Sequence, residues 1–281
     1  MKCPVCQNIA IIKYYLDYEV YICPSCKLNF APTAEFNINL STKFDREAHI
    51  NALYDLRTKN FRKIIETLKQ YVPQNGLGLE VGSSYGWFLQ MARDNGLQCI
   101  GIEPEQQMTS EYEAMGLKHI NGLFPQDLPA SINNLDFVVF NDVFEHIQDL
   151  EAVLNKCYEV LNDQGILVIN LPLSSGPVYK MGQIGYLLGN KLLLNRLWQF
   201  NFYTPHFYYF NSYNLNKMLS NYRFKVLNYV SLYTFEAKSL SSRITMSKQH
   251  SQKGKLLFSC LGPLINSVRG DTGCFFAKKM R

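Results

Sequence analysis

No run of uncharged apolar residues in this 281-residue chain approaches the roughly 20 residues that a membrane-spanning helix requires. The chain also lacks a large excess of either charge. Its formal net charge is +5, which is too small to indicate nucleic-acid binding by itself. Internal repeats and low-complexity tracts are absent, which excludes repeat architectures. The chain opens on a cysteine motif rather than a hydrophobic leader, so we expect no signal peptide and a cytoplasmic location. A hydrophobic content of 47% then favours a globular chain over a disordered one.

Four cysteines form two C-x-x-C pairs near the start of the chain, Cys3 with Cys6 and Cys23 with Cys26. Two such pairs separated by about 15–20 residues are typical of zinc sites, because each turn directs two thiolates toward one tetrahedral ion. The alternatives are a disulfide pair, which a reducing compartment disfavours, and a redox C-x-x-C, which needs no second pair. Four thiolates leave no open coordination position, so the sequence predicts a structural zinc ribbon over residues 1–35.

A short apolar strand, a turn of small residues and the start of a helix are predicted over residues 77–89. Glycine in such a turn lets a ligand approach the backbone, and the helix start presents free N–H groups. The spacing is Glu80-x-Gly82-x-x-x-Gly86, which differs from the G-x-G-x-x-G of nicotinamide dinucleotide sites. A carboxylate before the first glycine would repel a diphosphate, whereas it suits a ligand that carries ammonium and sulfonium groups.

A second buried strand ends at Glu103 and Pro104, about twenty residues after the glycine turn. An acid at that spacing is placed to accept hydrogen bonds from the two hydroxyls of a ribose. A helix is predicted over about 106–115, and a further strand over residues 135–140, which Asn141 and Asp142 follow. Another strand is predicted over residues 165–171. Strands that alternate with helices predict a doubly wound α/β domain. Its ligand is expected at the carboxyl ends of the strands, where these side chains and the glycine turn would converge.

An aromatic-rich segment at about 174–211 does not fit this repeat. We expect it to form a cap over the ligand crevice that shapes an acceptor pocket. The alternatives are helices that complete the core, and a membrane-surface segment, for which basic residues are sparse. Beyond the cap, the sequence predicts a strand over 223–230, a polar basic loop over 237–254, a helix over 256–268 and a last strand over 273–279.

Several of these segments together resemble one family, the bacterial zinc-ribbon class I S-adenosylmethionine (SAM)-dependent methyltransferases. Residues 79–86 resemble its motif I, although Ser84 stands where a further glycine is common. Residues 101–104 resemble its ribose-binding motif, residues 141–146 its D-V-L-E-H segment, and residues 205–210 its H-L-x-x-F segment. The resemblance implies a Rossmann-like, mostly parallel sheet of seven strands with a reversed last strand, preceded by a small zinc ribbon.

The resemblance also implies a domain organisation and a set of site residues. Residues 36–72 would be a connector and lead-in helix, and residues 73–281 would be the methyltransferase domain with its cap. SAM would be the cofactor, and zinc would have a structural role in the ribbon. The residues implied for SAM are Glu80, Gly82, Ser83 and Gly86 at the methionine part, Glu103 and Pro104 at the ribose, Leu123 and Phe124 at the adenine, and Asn141 and Asp142 between cofactor and acceptor.

The acceptor is expected to be a small molecule, with a sugar or glycan precursor as one class. Its identity, the methylated atom and the oligomeric state do not follow from the sequence. A hydroxyl acceptor would need a base to take its proton, and His146 and His206 are the candidates. The alternative for His146 is a structural one, in which it braces the loop beside Glu145.

Two other functions compete with small-molecule methylation. Some rRNA guanine methyltransferases also begin with a four-ligand zinc ribbon, which makes an RNA acceptor the main rival. The ribbon here lacks the dense basic surface that tracking phosphates requires, so nucleic acid is not favoured. A non-catalytic adaptor that keeps the cofactor fold is the third alternative, and the intact acids and glycines of the predicted site argue against it.

Overall fold

The computed structural model of the protein describes residues 1–36, 46–200, 202–234 and 270–281. The loop predicted over 237–254 and the helix predicted over 256–268 lie outside the described residues, as does the part of the connector at 37–45.

The amino-terminal unit is a small antiparallel sheet. Its first three strands are β1 (Ile11–Tyr15), β2 (Glu19–Ile22) and β3 (Asn29–Phe30). The fourth strand, β9 (Tyr208–Tyr209), comes from the aromatic segment and pairs with β3, which gives the order β1-β2-β3-β9. The ribbon and the aromatic segment therefore share one sheet, a connection that the sequence did not predict.

The main sheet has seven strands, in the order β10-β11-β8-β7-β4-β5-β6. The last strand, β11, is antiparallel to both of its neighbours, and the remaining pairs are parallel. This arrangement confirms the predicted α/β fold with a mostly parallel sheet and a reversed last strand. The strands are β4 (Leu77–Val81), β5 (Gln98–Glu103), β6 (His119–Asn121), β7 (Leu135–Asn141), β8 (Leu161–Pro172), β10 (Phe224–Leu232) and β11 (Thr272–Lys279).

Seven α-helices accompany the sheets among the described residues. They are α1 (Arg46–Leu68), α2 (Trp87–Asp94), α3 (Thr109–Ala114), α4 (Leu150–Val160), α5 (Pro177–Leu187), α6 (Leu192–Leu197) and α7 (Ser212–Asn221). None of the described helices combines the length and the apolarity needed to cross a bilayer.

Two element boundaries differ from the sequence-based expectation. The helix expected over 106–115 is a 3-10 turn at Gln106–Met108 followed by the short α3. Strand β8 begins at Leu161, four residues earlier than expected, and follows α4 without a turn. The early start has a clear cause, because Leu161 is buried, pairs with Leu135 of β7 and accepts a hydrogen bond from Lys279 Nζ over 2.6 Å.

The chain changes direction across the sheet at β4, which has β5 on one side and β7 on the other. Both faces of β4 are covered, and only Leu77, its first residue, is partly exposed. Such a reversal opens a crevice beyond the carboxyl ends of the strands, where doubly wound folds bind their ligands. The sheet topology therefore places the glycine turn after β4 beside Asn141 at the end of β7.

The aromatic segment predicted to form the cap, residues 174–211 and called the cap below, packs on the ribbon through an aromatic core. Trp198 is fully buried there, and the ring of Tyr179 lies 4.4 Å from that of Tyr209, centroid to centroid. Polar contacts join the same two parts, since Gln183 Nε2 donates to Tyr14 Oη over 2.7 Å. The cap helices are therefore held mainly by the ribbon. The buried members of this core are Tyr14, Leu16, Val20, Ala31, Ala34, Tyr179, Leu194, Trp198, Phe200, Phe207 and Tyr209.

Candidate functional site

The four ribbon cysteines converge at one point. Cys3 Sγ lies 3.5 Å from Cys26 Sγ, and Cys6 Sγ lies 3.4 Å from Cys23 Sγ. All four sulfurs lie within 4.8 Å of one another, and all four cysteines are free thiols. A disulfide would bring two sulfurs to about 2.05 Å, whereas zinc with bonds of about 2.3 Å holds tetrahedral sulfurs about 3.8 Å apart. The spacing therefore fits a shared tetrahedral ion better than a disulfide pair.

The glycine turn after β4 depends on glycine for two reasons. Gly82 has φ +68° and Gly86 has φ +70°, in the left-handed region that side chains disfavour. A Cβ on Gly82 would also lie 2.7 Å from Val143 Cγ2, and one on Gly86 would lie 2.9 Å from Leu117 Cδ1. Because Gly82 has no side chain, the backbone of the turn packs directly against Val143 in the loop after β7.

Ser83 contributes to this turn in a way that its sequence position did not reveal. Its hydroxyl lies 2.9 Å from Tyr112 Oη, and Tyr112 Oη also donates to the backbone oxygen of Ser84. The side chain of Ser83 is buried and is packed against Gly101 of β5. Ser83 can therefore meet a ligand in the cleft through its backbone, while its side chain anchors the turn to α3.

Glu80 is only 2% exposed and lines, with Arg57 and Gly82, the small cleft beside the glycine turn. Its Oε1 accepts a hydrogen bond from Asn141 Nδ2 over 2.8 Å. Its Oε2 has no hydrogen-bond partner within the described part of the chain. Burial raises the pKa of Glu80 to about 8, although the hydrogen bond from Asn141 opposes that shift. A cationic ligand group in the cleft would favour the ionised carboxylate.

Glu103 ends β5, as the ribose hypothesis requires, and Pro104 follows it. Its Oε2 accepts from the backbone N–H of Ser84 over 2.8 Å, and its Oε1 accepts from that of Glu105 over 3.2 Å. Burial raises the pKa of this carboxyl, and the two backbone hydrogen bonds oppose the shift. These bonds fix the carboxylate beside the glycine turn, and each of its oxygens can still accept a second hydrogen bond.

The two residues predicted at the adenine follow β6. Leu123 is exposed, and its backbone N–H donates to Asp127 Oδ2 over 2.7 Å. Phe124 is buried, and its ring packs edge-on against Phe140 of β7 at 6.0 Å. The structure therefore places both residues at the carboxyl edge of the sheet, with Leu123 available to a ligand and Phe124 part of the core.

Sequence reasoning missed Arg57, which reaches the cleft from helix α1. Its side chain lines the cleft with Glu80 and Gly82, and Arg57 Nη2 lies 3.4 Å from Asp142 Oδ2. Asp142 itself has φ +55°, and its N–H donates to Asn170 of β8 over 2.9 Å. The guanidinium of Arg57 and the buried carboxyl of Glu80 thus line the same cleft. The sequence offered no signal for Arg57, since α1 shows only the apolar spacing of a packing helix.

The structure brings the two candidate bases together, although they are distant in sequence. The rings of His146 and His206 lie 4.5 Å apart, centroid to centroid. Burial lowers the pKa of His146 to about 4 and that of His206 well below its ordinary value. Both imidazoles are therefore neutral at physiological pH. Glu145, which is 1% exposed, lies in the same cluster.

Comparison with known proteins is consistent with this geometry. A family model described as a methyltransferase domain matches residues 53–229, more than half of the chain. No curated protein matches the chain. The fold is similar to that of a SAM-dependent methyltransferase from Thermotoga maritima, at 15% identity and a TM-score of 0.54, over 86% of this chain and 98% of that one. It is also similar to geranyl diphosphate methyltransferase in complex with SAM, at 12% identity and a TM-score of 0.54, over 81% and 87%. At such identities the similarity to solved structures establishes the fold alone.

Proposed function

Because this chain belongs to the methyltransferase domain family, we propose that it transfers a methyl group from SAM to a small-molecule acceptor, with a sugar or glycan precursor as the favoured class. The observation that carries the proposal is that Arg57 and Glu80 line the same pocket at the glycine turn, and that Glu80 is buried with one carboxyl oxygen unpartnered among the described residues. The methionine part of SAM carries an ammonium and a carboxylate, so its binding site needs an anionic and a cationic side chain close to each other. A dinucleotide would present two phosphates to Glu80, which disfavours that ligand.

Each part of the cofactor would contact a different group of residues. The ammonium would lie at Glu80 and the carboxylate at Arg57, with the backbone of Gly82, Ser83 and Gly86 against the methionine chain. Glu103, preceding Pro104, would accept the ribose hydroxyls. The adenine would lie against the backbone near Leu123 and Phe124, and Asn141 and Asp142 would border both the cofactor and the acceptor.

The acceptor would enter beside His146 and His206. The sulfonium methyl is already activated, so the protein mainly aligns the acceptor with it and excludes water. Neutral imidazoles at this position can accept a proton from a hydroxyl acceptor. Their low pKa values weaken the driving force for that transfer, so positioning would contribute more than basicity.

A small acceptor is supported by the charge of the ribbon. Residues 1–36 carry three lysines and three acidic residues, Lys2, Lys13, Lys27, Asp17, Glu19 and Glu35. A nucleic-acid surface would need a clear excess of cations. The ribbon is instead engaged with the cap, and we propose that zinc at Cys3, Cys6, Cys23 and Cys26 stabilises that unit.

Two measurements test this proposal. Calorimetric titration with S-adenosylhomocysteine, the spent cofactor, should show binding at one site per chain. Cell extract incubated with the protein and methyl-labelled SAM should then yield label in the metabolite or glycan fraction. Label in the RNA fraction would establish the rival acceptor class. A folded protein that binds neither SAM nor S-adenosylhomocysteine would contradict the proposal and favour the adaptor alternative.

A further inference from the structure

Glu145, His146 and His206 form a second cluster of metal-ligating groups, separate from the ribbon. One donor atom from each lies within 4.8 Å of the other two. The two histidines come from different parts of the fold, since His146 ends the 3-10 turn Phe144–His146 after β7 and His206 precedes β9 of the cap. Two imidazoles and a carboxylate are a common ligand set for transition metals.

Two of the three residues carry buried atoms without partners. Glu145 Oε2 and His206 Nδ1 have no hydrogen-bond partner among the described residues, and their side chains belong to residues only 1% and 3% exposed. Leaving a buried polar group unpaired costs about 1–3 kcal/mol, and more when it is charged. Two such groups in one cluster indicate that a ligand satisfies both of them together.

The ring of His146 is oriented as a metal ligand would be. His146 Nδ1 lies 2.8 Å from the carbonyl oxygen of Pro205, an acceptor only, so Nδ1 carries the proton and donates. Nε2 is then left with a free lone pair. Metal-binding histidines usually donate their other ring N–H to a backbone carbonyl or carboxylate in this way, which fixes the tautomer.

His206 is contacted by Gln199, whose amide nitrogen lies 2.9 Å from His206 Nε2. In this orientation Nε2 accepts from the amide and Nδ1 carries the proton. Binding of a metal ion through Nδ1 requires the Gln199 amide to turn over, after which Nε2–H donates to Gln199 Oε1 and Nδ1 presents its lone pair to the cluster. The same loop is tied to the opposite ligand, because Phe207 N–H donates to the backbone oxygen of Glu145 over 2.8 Å. Hydrogen bonds to the backbone therefore connect the two segments that carry the cluster.

We propose that Glu145, His146 and His206 bind one divalent transition-metal ion beside the cofactor cleft. Two nitrogen donors favour zinc, cobalt, iron or manganese over magnesium and calcium, which prefer all-oxygen sites. Three protein ligands leave coordination positions open, unlike the four thiolates of the ribbon. The imidazoles then act as ligands rather than as bases.

The position of the ion relates the site to the reaction, and this step rests on the proposed function. Glu145 and His146 follow Asn141 and Asp142 in the chain, the two residues proposed to border both cofactor and acceptor. An ion there would orient an acceptor through its oxygen atoms and would lower the pKa of a bound hydroxyl, whose proton would pass to solvent. The oxygen would then take the methyl group from the sulfonium, and S-adenosylhomocysteine would leave. An oxygen-rich acceptor with two adjacent donor atoms, such as a vicinal diol, fits this arrangement.

Cobalt titration of the full chain, with zinc retained in the ribbon, tests the site. We expect one equivalent of Co²⁺ to bind with weak visible bands and without the intense near-ultraviolet bands of cobalt–thiolate bonds. Glu145→Gln and His206→Gln should each weaken this binding about tenfold or more. His119→Gln, a histidine on β6 outside the cluster, is the matched control and should leave the affinity unchanged.

A measurement on the unaltered protein guards against variants that fail to fold. In nuclear magnetic resonance spectra of the histidine rings, Co²⁺ should broaden or shift the signals of His146 and His206 but not those of His119. Failure to bind this one equivalent of Co²⁺, or thiolate bands alone, would overturn the proposal. Since both readouts omit the cofactor, that result would leave SAM binding untouched. If the protein binds cobalt but not SAM, the proposed metal site stands, and its proposed role in methyl transfer is contradicted.

Discussion

Asn141 Nδ2 donates a hydrogen bond to Glu80 Oε1 over 2.8 Å, and this bond links the carboxyl ends of the neighbouring strands β4 and β7. The amide holds one carboxyl oxygen in place, while the other lacks a partner within the described part of the chain. Burial outweighs the hydrogen bond and raises the pKa of Glu80 to about 8. Without a ligand, Glu80 is therefore mostly protonated at neutral pH, and a bound cation would ionise it.

Binding of S-adenosylhomocysteine should release a proton at neutral pH. Its ammonium stabilises the Glu80 carboxylate and lowers a pKa that starts at about 8. Calorimetry in two buffers of different ionisation enthalpy measures the number of protons released. We expect a value approaching one for the unaltered protein and close to zero for Glu80→Gln. Equal proton release from both proteins would place the ammonium elsewhere.

The stability of the ligand-free protein should fall as pH rises from mildly acidic to alkaline values. The folded pKa of Glu80, about 8, lies above its ordinary value of 4.5, so the folded state holds a proton that the unfolded state releases. The stabilising contribution is complete below pH 4.5, declines through the interval and is lost above about pH 8. Urea unfolding across this range should show a shallower pH dependence in Glu80→Gln. Asp271, whose pKa burial raises to about 6, adds a slope of the same sign at lower pH in both proteins.

Gly82→Arg should abolish cofactor binding and leave the zinc content unchanged. Position 82 has φ +68°, and its Cβ would collide with Val143 at 2.7 Å, so the side chain must displace the loop or fill the cleft. Gly96→Arg is the matched control, because Gly96 has φ +78° but no atom within 4 Å of its Cβ position. Both variants incur the left-handed strain of about 1–2 kcal/mol. Titration with S-adenosylhomocysteine should separate them, and normal affinity in Gly82→Arg would show that the cleft is misplaced.

The sequence specified those parts of the fold that depend on local pattern. Apolar strands ending in Glu103 and Asn141, with a glycine turn at Gly82, are local features, and the sheet topology brings their ends together as predicted. Parallel strands buried on both faces leave a continuous apolar signal that is easily recognised. The reversed strand β11 was predicted from the family resemblance, and its place between β8 and β10 confirms that expectation.

Contacts between segments that are distant in sequence could not be predicted in the same way. Strand β9 is two residues long, so nothing in its sequence indicates that it pairs with β3. Arg57 reaches the cleft because of how α1 packs, a tertiary effect with no sequence signature. The close approach of His206 to Glu145 likewise arises from a backbone hydrogen bond between the cap and the loop after β7. Such pairings are decided by the packed core, which single-sequence periodicity does not describe.

Arg57→Ala should weaken binding of S-adenosylhomocysteine by about tenfold or more, because it removes a charge-assisted contact to the ligand carboxylate. Arg62→Ala is the matched control, since Arg62 lies on the same helix and is exposed. Methylthioadenosine lacks the amino-acid part of the cofactor, so its affinity should be the same in all three proteins. Equal losses for both ligands would indicate that Arg57 supports the fold of the cleft rather than the carboxylate.

Cys23→Ser should remove the ribbon metal and loosen the cap. The zinc content of Cys23→Ser should fall by one ion per chain, whereas Cys99→Ser, a cysteine of β5 outside the ribbon, should retain that ion. Because β3 pairs with β9, disorder in the ribbon should reach Trp198, which is fully buried in the shared aromatic core. In a Trp87→Phe background, Trp198 is the only tryptophan of the chain. Its fluorescence emission should shift to the red in Cys23→Ser but not in Cys99→Ser. Loss of zinc with unchanged emission would show that the cap holds its structure without the metal, and the ribbon would then need another role than stabilising the cap.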